Sequence, residues 1–131
     1  MILAMSQGNE GSLTTLHADS SRNALSRIST YCAVFHDPPM DPAYTVGLIR
    51  DAVHFVVHLE RTEGVRRVKS IREVDPTNER ELLSTEVFAA NDQGLAVPKL
   101  GITSLRHKEA LERVGFDTRL ASGAAHLRMS S

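Results

Sequence analysis

The hydrophobic positions of this chain change period several times along its length, and each change predicts an element. Met1-Ile2-Leu3-Ala4-Met5 is a solid apolar run leading into Ser6-Gln7-Gly8, which reads as the last turns of a buried helix with Gly8 as its left-handed terminator. Leu13-Thr14-Thr15-Leu16 is short and β-branched, so a strand is expected there. From Ser20 onward Ala24, Leu25, Ile28, Tyr31, Cys32 and Phe35 recur at helical spacing. Asp19 or Ser20 supplies the N-cap, and Asp37-Pro38-Pro39 stops the run, because proline lacks a donor and disfavours helix in its predecessor. Asp41 before Pro42 then starts a second helix over 42–52, with Val46, Ile49 and Ala52 on one side.

Alternation takes over next. Val53, Phe55, Val57 and Leu59 oppose His54, Val56, His58 and Glu60, the pattern of a half-buried strand running to Thr62. Glu63-Gly64 makes a tight turn, and residues 65–74 fit a partner strand, so the pair reads as a hairpin. Val65, Val68, Ile71 and Val74 also recur every three residues, which fits a helix face; β-branched enrichment and the turn favour the strand. Asp75-Pro76-Thr77-Asn78 breaks the chain, Leu82 to Ala90 reads as a further strand, and Asn91-Asp92-Gln93-Gly94 closes it. Residues 95–101 read as irregular. Ser104 can cap a short helix with Leu111 and Val114 inward, ended by Gly115 and covered by Phe116. Beyond Leu120 the Ser, Gly, Ala and Met content predicts a disordered tail over 121–131.

Composition narrows the class without choosing a function. The chain has 131 residues, 41% hydrophobic and 24% charged, as in an ordinary globular domain. Fifteen basic residues against sixteen acidic give a net charge of −1, so no footprint for nucleic acid or an anionic membrane is written into the total. The one basic cluster, Arg66, Arg67, Lys69 and Arg72, is interleaved with Glu60, Glu63 and Glu73 and reads as a charge-balanced hairpin. Cys32 is the single cysteine, which excludes an intrachain disulfide and a thiol cluster for zinc; it reads as a buried small hydrophobe. The apolar start is too short for a membrane span and lacks the basic flank of a signal peptide, so a cytoplasmic protein is expected.

Candidate chemistry crowds into residues 8–22. Two glycines three apart, hydroxyls at Ser12, Thr14 and Thr15, and His17 at the end of the expected strand stand where open α/β sheets bind ligands. His17 can donate to phosphate oxygens; it can equally do no more than hold a neighbouring loop. A hydrolase built on Ser12 and His17 lacks any Gly-x-Ser-x-Gly elbow. His54 and His58 have the spacing of a helical zinc pair, but on a strand residues four apart are separated by about 13 Å, so no metal site is expected. Arg22 and Arg27 point to different sides of their helix, and one of them can face a neighbouring subunit; both can equally be solvated arginines with packed stems.

The residues Gly8, Gly11, Ser12, Thr15, His17 and Ala18, followed by Ser20, Arg22, Ala24, Leu25 and Arg27, spell Gly-x-x-Gly-Ser-x-x-Thr-x-His-Ala and then Ser-x-Arg-x-Ala-Leu-x-Arg. This pattern resembles the His box of the type II/IV secretion ATPases, above all the CpaF-like ATPases of tight-adherence pilus assembly. Family members often carry a second histidine just after the first glycine; Asn9 stands there instead and cannot titrate. The resemblance implies an α/β fold: the C-terminal portion of a RecA-like P-loop NTPase core over 1–90, with a β-hairpin, and a small C-terminal helical subdomain over 91–120. It implies His17 as a catalytic residue near the γ-phosphate, Gly11, Ser12, Thr15 and His17 as nucleotide contacts, and Arg22 at a subunit interface. For the complete enzyme it implies ATP and Mg²⁺, a hexamer, and inner-membrane secretion or pilus platform proteins as partners, at the cytoplasmic face of the membrane.

The chain departs from a complete motor. None of its eight glycines is followed by lysine, so there is no P-loop, and the Walker B strand is absent as well. The expectation is therefore a C-terminal fragment that does not hydrolyse ATP alone; the alternative is a non-catalytic module that docks on a full-length ATPase. Thr14 to His17 should lie as an interior parallel strand, and Leu13, Leu16 or Ile2-Leu3 should be poorly buried.

Overall fold

The computed structural model describes residues 2–7, 11–101 and 105–121. The expected Gly8 terminator, Asn9, the Ser104 cap and residues 122–131 of the expected tail lie outside the described residues. The chain divides into two compact units, Met1–Val56 with Val74–Ser84, and Val57–Glu73 with Thr85–Ser131.

The first unit is helical. It contains α1 (Ile2–Ser6), α2 (Ser21–Val34) and α3 (Pro42–Ala52). Ser20 is extended, and its hydroxyl accepts the Asn23 N–H at 3.0 Å, satisfying one of the orphan donors that every helix start leaves. Asp41 caps α3 twice, its Oδ1 accepting from the Ala43 and Tyr44 N–H groups at 2.9 and 3.1 Å, with Pro42 at the first helical position. The helices close over Leu25, Ile28, Ile49 and Val74, with Ile2, Leu16, Cys32, Val53, Val56 and Leu82 packed around them. The far end of α2 departs from the helical face read in the sequence: Tyr31 and Phe35 are exposed, and their rings meet edge to face at 5.7 Å.

The expected strand at Thr14–His17 is not formed. Residues 12–18 have no regular structure, and Leu13 is 94% exposed while Leu16 reaches the core. A strand needs a neighbour to complete its ladder, and the sheet of the described residues leaves this segment out.

That sheet has four strands, β1 (Phe55–Thr62), β2 (Val65–Val74), β3 (Ser84–Ala90) and β4 (Ala96–Pro98), in the order β1-β2-β3-β4. It is antiparallel, so the described domain is a mixed α/β one in which the parallel order of a RecA-like core is not seen. Glu63 and Gly64 both have positive φ, 52° and 83°, which makes a two-residue type I′ turn whose twist matches the strands. At the base of the hairpin, in the first unit, the Val74 N–H donates to the His54 carbonyl at 2.9 Å, and the Asp75 N–H donates to the Leu83 carbonyl at 2.9 Å. β3 and β4 pair Phe88 with Pro98 and Ala90 with Ala96. The Asn91 side chain holds the intervening turn, its Oδ1 accepting from the Gln93 and Leu95 N–H groups at 3.0 Å each.

The second unit has its own core of Val87, Leu105 and Ala121, flanked by Ile71, Phe88 and Leu111. α4 (Lys108–Arg113) contributes Leu111 as expected, but Val114 is 81% exposed, because the helix ends before it and Gly115 turns the chain away at φ 85°. Phe116 still marks that end, its N–H donating to the Leu111 carbonyl at 3.0 Å. Among the described residues no helix is long and apolar enough to cross a membrane.

Candidate functional site

The segment Gly11–Arg22 has the local structure its residues dictate. Gly11 sits at φ 78°, a conformation in which an L side chain is strained, and an added Cβ would meet nothing within 4 Å, so the glycine is required by the backbone and not by a close neighbour. Ser12, Thr15 and His17 follow on irregular backbone with exposed side chains. Ser20 then starts α2, and Arg27, about two turns further on, lies 3.9 Å from Asp19 across exposed surface. Such a pair is worth little in water.

Arg22 is also exposed, and it borders an open cavity of ≈ 400 Å³ in the first unit. Leu25, Ser26 and Ser29 line it from the same side of α2, and Leu82, Leu83 and Ser84 from the connection into β3. Residues 22, 25, 26 and 29 share one helix face by their spacing. The lining is therefore three leucines, three serines and one guanidinium. The Ser29 hydroxyl donates to the Leu25 carbonyl at 3.2 Å. Gly11, Ser12, Thr15 and His17 are not among the lining residues, so the structure gives Arg22 a cavity and leaves the other four sequence-chosen residues on a separate exposed segment. Arg22 was singled out in the sequence but Ser26 and Ser29 were not, and only the arrival of 82–84 makes this helix face a concavity.

Two polar clusters were missed by sequence reasoning. Glu73 is 2% exposed, and its Oε1 accepts the His107 backbone N–H at 2.8 Å and stands 3.0 Å from His107 Nδ1. Arg72, also buried, lies 3.8 Å from Glu86, which meets Lys99 at 3.4 Å. These contacts satisfy carboxylates that would otherwise be costly to bury. The expected charge-balanced hairpin paired Glu73 with the basic residues near it and gave no hint of His107 or Glu86, which come from distant parts of the chain. Elsewhere, burial pushes the Cys32 thiol up from its ordinary value, and the Arg119 side chain, bonded to Asp117 at 2.8–2.9 Å, holds the Asp117 carboxyl below the usual carboxylate range. His54 lies in a bend before β1 and His58 within it, and no group of three or more potential metal ligands occurs among the described residues.

Comparison with models of protein families and with curated protein sequences finds no match for this chain.

Proposed function

We propose that this chain supplies the C-terminal part of the RecA-like core of a secretion or pilus-assembly motor ATPase. The observation that carries the reading is the segment Gly11–His17: the residues that resemble the His box stand on irregular, exposed backbone, with Leu13 bare to solvent, directly ahead of a capped helix. In the complete motor the flanking sheet covers that segment and completes its ladder. His17 then approaches the γ-phosphate, with Gly11, Ser12 and Thr15 beside it, and Arg22 faces the neighbouring subunit of a hexamer seated on inner-membrane platform proteins.

This chain does not by itself make a nucleotide site. Phosphate binding in P-loop enzymes rests on an amide cradle and a lysine, and neither is encoded here. ATP and Mg²⁺ belong to the complete enzyme, where ATP supplies the phosphoanhydride whose hydrolysis drives the motor. Ser12, Thr15 and His17 contribute hydroxyls and an imidazole at its edge. Calorimetric titration of ATP into this chain should show weak binding or none, and micromolar affinity would overturn the reading. In a chain that carries the P-loop, His17→Ala should lower kcat more than nucleotide affinity. An unchanged kcat removes His17 from the chemistry.

A further inference from the structure

Among the described residues β1 stands at one edge of the sheet, and the orientation of its backbone follows from the hairpin. A two-residue type I′ loop makes Thr62 and Val65 a hydrogen-bonded pair, after which every second residue of β1 bonds to β2. The bond from Val74 to the carbonyl of His54 keeps the same parity. Residues 58, 60 and 62 thus turn their N–H and C=O groups toward β2, whereas Val57, Leu59 and Arg61 turn theirs outward. The outward residues also carry exposed apolar surface, Val57 at 52% and Leu59 at 59%. Proline and lysine, the commonest guards of an edge, do not occur in Phe55–Thr62, where Glu60 and Arg61 are the only charged residues.

We propose that β1 is a pairing edge for a second copy of this chain, the two β1 strands running antiparallel about a two-fold axis at Leu59. The Glu60 carboxylate selects the register. With the axis at Leu59, the two Leu59 side chains lie together, Val57 lies against the aliphatic stem of Arg61 of the second copy, and His58 stands opposite Glu60 of the second copy, once on each side of the axis. Glu60 Oε2 already meets Lys69 Nζ at 3.1 Å, and the carboxylate's second oxygen receives the imidazole. Moving the axis to Glu60 sets two carboxylates face to face, like charges that destabilise a sheet, and moving it to His58 leaves Glu60 against the apolar Val56 with no donor opposite its carboxylate. In the selected register Val57, Leu59 and Arg61 each exchange both backbone bonds with the second copy. The contact is isologous and closes at two chains, by the strand-addition mode used in peptide recognition. It is independent of the motor reading, since neither nucleotide nor His17 takes part.

Sedimentation velocity of the full chain should show a monomer–dimer equilibrium, and Leu59→Lys, which places two like charges on the axis, should return it to monomer. Cysteine cross-linking tests the register in a Cys32→Ser background. Leu59→Cys brings two thiols together on strands whose Cα atoms are about 5.5 Å apart, inside the range a disulfide spans, and oxidation should give a covalent dimer. Thr62→Cys puts its two thiols about 20 Å apart at about 3.4 Å per residue and should stay monomeric. A wild-type chain that sediments as monomer at every concentration overturns the proposal, and so does Thr62→Cys cross-linking as readily as Leu59→Cys.

Discussion

Glu73 is a charged residue that the fold has taken out of water and then answered with donors. Its Oε1 receives the His107 backbone N–H and adjoins the ring nitrogen, so the carboxylate ties β2 to the start of α4. Removing one partner of a buried bond exposes the desolvation penalty of the other, and Glu73→Ala should cost about 1–3 kcal/mol in urea unfolding. Glu73→Gln keeps the shape and an acceptor oxygen for the same N–H and should lose less; equal losses would mean that the carboxylate's charge, not its shape or a neutral acceptor, is what matters. Asp117 behaves differently because it is open to solvent. Its depressed pKa means that the folded state binds fewer protons than the unfolded one, so its contribution is present above the ordinary carboxylate value and is lost as pH falls through the folded value. The melting temperature of Asp117→Asn should lie below wild type at about pH 7 and converge with it at about pH 2.

Among the elements, those whose signals are local were legible in the sequence. Asp41-Pro42 names the start of α3, Ser20 that of α2, and Glu63-Gly64 the hairpin, because each cap or turn is made by residues within a few positions of one another. Asp41→Ala removes the acceptor of two helix N–H groups and should cost about 0.5–2 kcal/mol, whereas Ser20→Ala removes that of one and should cost less by thermal denaturation. Elements that depend on distant partners were not legible. Leu13 to Leu16 has strand composition and no ladder, and Ala96–Pro98 has weak composition and becomes β4 only because β3 is beside it. Val114 fits the helical period yet lies past the last turn, since periodicity gives a face and says little about where a helix of six residues stops. The same limit applies to the candidate site: its residue types and spacing could be read along the chain, while the cavity beside Arg22 needed the packing of residues 82–84.

At the scale of the whole molecule, two separate clusters hold the chain, one around Ile49 and one around Val87, and they share no residue. Ile49→Ala should cost about 2–5 kcal/mol and raise amide exchange first in α2 and α3. Val87→Ala should cost about 0.5–3 kcal/mol and raise it first in residues 105–113. If either lesion accelerates exchange evenly everywhere, the clusters unfold as one. The first unit is also discontinuous in sequence, since Val74 and Leu82 complete a core begun by Ile2, Leu25 and Ile49. During synthesis the ribosome must therefore extend the entire hairpin before the earliest helices acquire their final neighbours. At about 5–20 residues per second, the nascent α2 and α3 wait a few seconds with their leucines and isoleucines uncovered. That interval is when a chaperone, or the remainder of a larger chain, has its chance to reach them.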